Sequence, residues 1–180
     1  MAKMNESVKM ILTLVLIAVI VAGAMAGVNM LTKDKIAQNE VDKLNNSLKE
    51  VLPAQTYEQR VTEGGTVYIA KNGDKVQGYC VSCTVSGYGG DINVLVGLDT
   101  EYKVTKISIL SHGETPGLGA NATNDKFKKQ FEGKAAGTLS AEKNASGKNE
   151  IQAISGATIT SKAVTKAVND ARNCVKEATR

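Results

Sequence analysis

A cluster of small and hydroxyl-bearing residues, 154–161, lies directly before the predicted C-terminal helix. It reads Ile-Ser-Gly-Ala-Thr-Ile-Thr-Ser. Hydroxyl groups, a glycine and the free N–H groups of a helix start suit an anionic group such as a phosphate, because the helix dipole favours negative charge there. The same residues also suit an ordinary helix cap, with Thr160 or Ser161 as the capping residue. Local chemistry alone leaves both interpretations open.

A second candidate site is the glycine-rich segment 111–120, which reads Ser-His-Gly-Glu-Thr-Pro-Gly-Leu-Gly-Ala. Pro116-Gly117 is typical of a type II turn, and three glycines let the backbone approach a flat and bulky ligand. His112 and Glu114 are polar residues at the exit of an apolar strand, a position at which binding sites are often built. The alternative is an ordinary glycine-rich loop with a solvated histidine.

The three cysteines raise the question of redox or metal chemistry, because Cys80 and Cys83 form a Cys-x-x-Cys motif. Both lie in a predicted strand, where residues three apart point to opposite faces and their Cα atoms are about 10 Å apart, beyond disulfide reach. No second cysteine pair exists, and His112 is the only histidine. We therefore predict that Cys80 and Cys83 are structural thiols and that there is no metal site, and the sequence leaves the role of Cys174 open.

The elements that position these segments follow from the apolar periodicity. The hydroxyl cluster is followed by apolar residues at helical spacing, at positions 164, 167, 168, 171, 174, 175 and 178. Two hairpins are predicted, pairing 66–70 with 75–85 around Asn72-Gly73-Asp74 and 92–98 with 103–110. Consecutive hairpins between terminal helices predict an α+β fold with an antiparallel sheet. A short helix near 124–131 and a mobile excursion over 132–149 complete the prediction.

The N-terminal part contains an almost unbroken apolar run from Met10 to Val28. Its length is close to the roughly twenty residues that a membrane-spanning helix needs. We predict a cytoplasmic tail at 1–9, a transmembrane anchor at 10–31, a linker helix at 32–52 and an extracytoplasmic domain at 53–180. The alternative is a cleaved signal peptide with Ala24-Met25-Ala26 as its cleavage site.

Length and charge narrow the function classes. A chain of 180 residues has room for one domain and one additional element. The net charge of +4 arises from interspersed acids and bases, so no basic stripe forms, and only 4% of the residues are aromatic. This composition argues against a nucleic-acid partner.

Three features occur in one order: the anchor, then His-x-Glu-Thr-Pro-Gly-Leu-Gly at 112–119, then Ser-Gly-Ala-Thr at 155–158. This combination closely resembles the FMN-binding domain of the G subunit of the Rnf ion-translocating electron-transfer complex. It is more distantly similar to the C subunit of the sodium-translocating NADH:quinone oxidoreductase. The resemblance covers most of the chain.

The resemblance implies that FMN is attached to Thr158 through a phosphoester bond and that a separate flavin transferase installs it from FAD. It implies a phosphate environment formed by Ser155, Gly156, Ala157, Thr160 and Ser161. The flavin ring is expected to lie against His112, Glu114, Thr115, Gly117, Leu118 and Gly119. One position departs from the family pattern, because Gln152 stands where the attachment motif usually begins with Asp.

The expected function is electron relay within an Rnf-type complex, together with other membrane subunits. In that family, electrons pass between ferredoxin and NAD⁺ while Na⁺ or H⁺ crosses the membrane. No residue of this chain is expected to be catalytic, since the redox chemistry belongs to the flavin. Two alternatives remain: a free-standing extracytoplasmic flavin reductase with His112 as its acid–base group, and a cofactor-free, surface-anchored binding module.

Overall fold

The computed structural model describes residues 6–180, in two compact units that divide between Lys43 and Leu44. Helix α1 is one uninterrupted helix, Glu6–Val51, and it includes both the predicted anchor and almost all of the predicted linker. Of the predicted tail at 1–9, residues 1–5 lie outside the described residues and 6–9 belong to α1. Pro53 follows two residues after the helix ends, consistent with the helix-breaking role of proline.

The first unit contains a segment long and apolar enough to cross a membrane. The most apolar eighteen-residue window of α1 has a mean hydropathy of 2.7, and the protein buries none of that window. The predicted anchor at 10–31 would extend about 33 Å as a helix, which matches a bilayer core of about 30 Å. Within residues 6–180 this is the one helix with these properties, and it fits a single-pass membrane protein.

The second unit, Leu44–Arg180, is built on a five-stranded antiparallel sheet in which neighbours in sequence are neighbours in space. The strands are β1 (Thr56–Thr62), β2 (Gly65–Asn72), β3 (Lys75–Ser86), β4 (Asp91–Asp99) and β5 (Val104–His112). The predicted hairpin at Asn72-Gly73-Asp74 is confirmed, with Asn72 paired to Lys75 and Gly73 at φ +60°. Strand β1 is an addition to the prediction.

Helix α3 (Thr158–Ala178) covers one face of this sheet. All seven apolar positions predicted for its inner face are buried, and they join side chains of β2, β3 and β4 in one hydrophobic cluster. Leu48 and Val51, in the last turns of α1, pack with Cys80 and Leu95 in a second cluster. The predicted α+β class is therefore confirmed.

The segment between β5 and α3 is more ordered than its composition predicts. A 3₁₀ turn (Gly119–Thr123) leads to helix α2 (Asp125–Lys128) and a further 3₁₀ turn (Lys129–Phe131). The expected mobile excursion instead carries β6 (Ser140–Glu142), which pairs in parallel with β7 (Glu150–Gln152). Asn169 of α3 holds part of this segment: its side chain accepts the N–H groups of Gly137 and Leu139 and donates to the Leu139 carbonyl.

The structure agrees with the interpretation of Cys80 and Cys83 as structural thiols. Cys80 lies in the cluster with α1, and Cys83 lies in the cluster with α3, so the two thiols occupy opposite faces of β3. All three cysteines are free and buried, and burial raises the pKa of the Cys80 and Cys83 thiols to about 12. Residues 6–180 contain no group of three or more His, Cys, Asp or Glu side chains that could hold a metal ion.

Candidate functional site

The hydroxyl cluster lies at the start of α3, which has no side-chain cap. The helix begins at Thr158, and its N-cap is Ala157, which has no side chain that could accept a hydrogen bond. The cap predicted at Thr160 or Ser161 is therefore wrong, since both residues lie inside the first turn. The N–H groups of the first turn have no acceptor within the helix and form its positive end.

The hydroxyls of this segment differ sharply in their availability. Ser161 is fully buried; its hydroxyl accepts the Ile154 N–H and donates to the Ala157 carbonyl, both at 2.9 Å. Thr160 is 1% exposed and donates to Glu114. Thr158 and Ser155 have no side-chain hydrogen bond to any described residue, and they are half-buried and exposed, respectively. Two hydroxyls in this cluster are thus free to react.

Gly156 shapes the turn that presents Thr158. Its φ of +75° lies in the left-handed region, which residues with a side chain rarely adopt. A Cβ at this position would also lie 3.0 Å from Cδ2 of Leu118. Glycine therefore allows both the turn and the close approach of the second candidate segment.

That second segment forms the predicted type II turn. The Leu118 N–H donates to the Thr115 carbonyl at 3.1 Å, and Gly117 has a φ of +79°. The turn leaves the Leu118 side chain 46% exposed. Leu118 therefore offers an apolar surface beside the start of α3, as expected from the sequence.

Glu114 joins three separate segments of the chain. It is 6% exposed; one carboxylate oxygen accepts the N–H groups of Tyr88 and Gly89, at 2.7 and 3.1 Å. The other oxygen accepts the Thr160 hydroxyl at 2.8 Å. Burial raises the pKa of Glu114, but the hydrogen bonds from Thr160, Gly89 and Tyr88 outweigh it and leave that pKa below its usual value. The charged carboxylate is thus satisfied by the protein itself.

These segments enclose a cleft of about 470 Å³, a size typical of small-ligand sites. Eight of the predicted site residues line it: Glu114, Thr115, Leu118, Gly119, Gly156, Ala157, Thr158 and Thr160. Three further residues line it that the sequence did not indicate: Tyr88, Lys143 and Ile159. The side chains of Tyr88 and Ile159 are 74% and 55% exposed.

Four predicted site residues do not line this cleft: His112, Gly117, Ser155 and Ser161. His112 is exposed at the end of β5, where its Nδ1 accepts the Glu114 N–H at 3.2 Å. Gly117 contributes the turn and Ser161 the helix start, so both act on the shape of the cleft without bordering it.

A second, more polar cleft of about 510 Å³ is also lined by Thr158. Thr158 and Lys143 border both clefts, and Lys162, one helical turn beyond Thr158, borders the polar one. Glu142 and Glu150 border it as well, and the Glu150 carboxylate accepts the N–H groups of Ser146 and Gly147, which lower its pKa. Thr158 therefore borders both a largely apolar cleft and a charged one.

Gln152, the position that departs from the family pattern, holds the loop that carries Lys143. Its side-chain amide donates to the Lys143 carbonyl and accepts the Ala145 N–H at 3.1 Å. An aspartate is one methylene shorter and has no donor for the carbonyl. The glutamine is therefore a structural part of the wall beside Thr158.

Comparison with known proteins identifies two families that this chain matches. Residues 87–173 match the family described as FMN-binding domain, and residues 2–51 match the family described as RnfG N-terminal region. The G subunit of the proton-translocating ferredoxin:NAD(+) oxidoreductase complex of Clostridium ljungdahlii is 42% identical, over 82% of this chain and 80% of its own. Its counterpart in the Na(+)-translocating complex of Acetobacterium woodii is 38% identical, over 89% and 87%.

Among solved structures, the C subunit of the Na(+)-translocating NADH-quinone reductase of Parabacteroides distasonis superposes with a TM-score of 0.54 at 25% identity. The superposition covers 64% of this chain and 63% of that one, so it spans less than two thirds of the solved protein. Together with the sequence matches, it identifies the fold of the second unit. The chain belongs to the family of G subunits of Rnf-type ion-translocating oxidoreductase complexes and contains its FMN-binding domain.

Proposed function

We propose that this chain is an electron-transfer component of an Rnf-type membrane complex and carries FMN through a phosphoester bond to Thr158. Ferredoxin:NAD⁺ oxidoreduction coupled to Na⁺ or H⁺ transport would be the activity of the assembled complex, with the other membrane subunits as partners. The single observation that carries the proposal is the state of the Thr158 hydroxyl. It has no hydrogen-bond partner among the described residues and borders a ligand-sized cleft.

The residues around Thr158 fit the two parts of an FMN molecule. Leu118, Ile159 and Tyr88 offer exposed apolar surface on the side of the 470 Å³ cleft, which suits a flat aromatic ring. In the polar cleft, which Glu142 and Glu150 also border, Lys143 and Lys162 offer positive charge. The start of α3 offers N–H groups, and both kinds of group suit a phosphate. A bond at the Thr158 oxygen would join these two environments.

Attachment by a flavin transferase would use FAD as the donor. The Thr158 oxygen would replace AMP on the phosphorus of the flavin side, so that the pyrophosphate P–O bond is exchanged for the phosphoester bond and the hydroxyl proton is lost to a base. This chain supplies only the acceptor hydroxyl and the surface that holds the product. Bound FMN supplies the one- and two-electron chemistry, and the chain orients it and sets its surroundings.

The proposed arrangement in the membrane follows the sequence prediction. Residues 10–31 would be retained as the anchor, the N-terminus would be cytoplasmic, and the domain from residue 53 onward would lie on the extracytoplasmic face. A covalent bond suits that face, because a flavin held only by noncovalent contacts could be lost to the surroundings.

An independent reductase is less well supported than an electron relay. That function needs an acid–base group beside the substrate, and His112 is the one candidate that the sequence indicates. His112 does not border the cleft, and its Nδ1 is engaged by a backbone N–H. The geometry therefore favours a domain that holds a flavin over one that protonates a substrate.

The test compares two variants from one turn, Thr158→Ala and Ser155→Ala. Each protein is co-expressed with a flavin transferase, denatured and examined for in-gel flavin fluorescence and for intact mass. Ser155→Ala should keep the added mass of one FMN less one water, because Ser155 does not border the cleft. Thr158→Ala should lose both signals.

Circular dichroism melting of the two variants controls for misfolding. Thr158 makes no side-chain hydrogen bond to a described residue, so its replacement by alanine should leave the melting temperature nearly unchanged. A flavin signal that survives denaturation in Thr158→Ala would refute the attachment site, and wild-type protein without flavin would refute covalent attachment.

A further inference from the structure

Exposed apolar side chains in the second unit are concentrated at the cleft beside Thr158. Among its described residues, four large apolar side chains are exposed: Val61, Tyr88, Leu118 and Ile159. Three of these border the cleft, and Tyr88 is the one aromatic residue among them. Single exposed apolar residues are ordinary, whereas a cluster that lines a cleft indicates a surface that a ligand covers.

The backbone of Tyr88 is fixed although its side chain is exposed. Tyr88 lies in the β3–β4 connection, where the Gly87 N–H donates to the Gly90 carbonyl at 2.8 Å. The Tyr88 and Gly89 N–H groups both donate to Glu114, a residue that is itself buried. A fixed backbone limits the positions that the exposed ring can take, which reduces the entropy cost of binding.

Two glycines make room for the carboxylate that holds this connection. A Cβ at Gly87 would lie 2.2 Å from Oε1 of Glu114, and a Cβ at Gly119 would lie 2.1 Å from Oε2. At Gly89, a Cβ would lie 2.3 Å from the Gly113 carbonyl oxygen. The β3–β4 connection is thus packed backbone to backbone against the Glu114 segment, and no other residue type fits without a shift.

We propose that Tyr88 is the aromatic residue that lies against the flavin ring of FMN attached at Thr158, and that Glu114 is the positioning residue that holds it there. This inference rests on the proposed function and assigns a role to a residue that no motif indicated. It also gives Glu114 a supporting role, because its two oxygens accept hydrogen bonds from Tyr88, Gly89 and Thr160.

The test uses flavin photochemistry as a measure of contact. An excited flavin takes one electron from a phenol in van der Waals contact, and the electron then returns, so the excited-state lifetime is short. Tyr88→Phe keeps the ring and removes the oxidisable phenol. In the flavin-loaded full chain, we expect a several-fold longer fluorescence lifetime for Tyr88→Phe than for wild type.

Tyr102→Phe is the matched control, because it makes the same chemical change elsewhere. The Tyr102 ring stacks with Tyr79 and lies 5.5 Å from the guanidinium carbon of Arg172. Arg172 is fourteen residues after Thr158 on α3, or about 21 Å along the helix. The lifetime of this variant should equal that of wild type.

A further variant tests the role of Glu114. Glu114→Ala removes the acceptor for both N–H groups of the β3–β4 connection, so Tyr88 is no longer held and the lifetime should also lengthen. The conservative variant Glu114→Gln keeps an acceptor and should restore a short lifetime. If Glu114→Ala were merely less stable, it would melt earlier but keep the wild-type lifetime in the folded state.

The outcomes separate this inference from the proposed function. A wild-type protein that carries no flavin on Thr158 refutes both. Full attachment with equal lifetimes in wild type and Tyr88→Phe refutes the contact with Tyr88 and leaves the attachment intact. Equal lifetimes in wild type and Glu114→Ala refute the positioning role of Glu114.

Discussion

Thr158 and Thr160 carry the same side chain two residues apart, yet their hydroxyl groups differ in burial and in hydrogen bonding. The Thr160 hydroxyl donates to Glu114 and is almost fully buried. The Thr158 hydroxyl has no partner among the described residues and faces a cleft. The difference arises because Glu114, which is 46 positions earlier in the chain than Thr160, meets one of them and not the other. Glu114, a residue outside this segment, therefore determines which of the two hydroxyls has a hydrogen-bond partner.

The charge of Glu114 predicts a pH-dependent contribution to stability. Its pKa in the folded protein lies below the usual value of 4.5, so folding favours the ionised form. The contribution is complete at neutral pH and is lost as the pH falls through the folded-state pKa. Glu114→Gln should lower the unfolding free energy by about 1–2 kcal/mol at pH 7, because a hydrogen bond to a charged group contributes about 1.5–3 kcal/mol and one to a neutral amide about 0.5–1.5 kcal/mol.

Urea denaturation of wild type and Glu114→Gln at a series of pH values tests this prediction. Other carboxylates with lowered pKa values, at Glu58, Asp125 and Glu150, contribute equally to both proteins and cancel in the difference. The difference should narrow as the pH falls below about 4.5. A difference that stays constant down to the acid limit would mean that the carboxylate charge contributes nothing.

At the scale of elements, the sequence correctly predicts the features that depend on interactions between neighbouring residues. The Asn72-Gly73-Asp74 turn and the inner face of α3 follow from the sequence because turn chemistry and helical periodicity are properties of neighbouring residues. Strand β1 is missed because Thr56–Thr62 gives no apolar alternation, and one edge of that strand is unpaired. Tyr88 is missed because its role depends on Glu114, which is 26 positions away.

The segment 132–149 is the clearest case in which the structure depends on residues outside the segment. Its glycine, serine and lysine content predicts mobility, but the Asn169 side chain makes three hydrogen bonds to Gly137 and Leu139. Ala136, Leu139 and Ala141 are buried. The order of this segment thus comes in part from side chains that follow it in the chain, among them Asn169 and Glu150.

Replacement of Asn169 by alanine should release this segment. The Gly137 and Leu139 N–H groups lose their acceptor, so we expect a loss of about 2–3 kcal/mol and faster hydrogen exchange at both residues. Asn173→Ala, one turn later on the same helix, is the control, because Asn173 is exposed. Equal exchange rates in the two variants would show that the backbone, and not Asn169, orders the segment.

At the scale of the whole molecule, the chain combines a membrane-length helix with a domain that holds a site of its own. Residues 44–180 contain the sheet, α3 and both clefts, and the hydrophobic clusters lie entirely within them. The anchor contributes no residue to the cleft that Thr158 borders. In the proposed arrangement its contribution is to fix the side of the membrane on which the flavin would accept and donate electrons.

The side of the membrane on which the domain lies can be measured with one introduced cysteine, because the native thiols are buried and react slowly. Cys80, Cys83 and Cys174 are at most 4% exposed, and burial raises the pKa of each, so they react slowly with maleimides. Val61 in β1 is 78% exposed and does not border the cleft, so Val61→Cys adds one reactive thiol without altering the site.

In intact cells, a membrane-impermeant maleimide should label Val61→Cys as fully as it does after lysis, and should leave the native chain unlabelled in both cases. Labelling only after lysis would place the domain in the cytoplasm and reverse the proposed orientation. Labelled protein that stays in the membrane fraction after an alkaline wash would establish the retained anchor, whereas a soluble product shortened near Ala26 would establish a cleaved signal peptide.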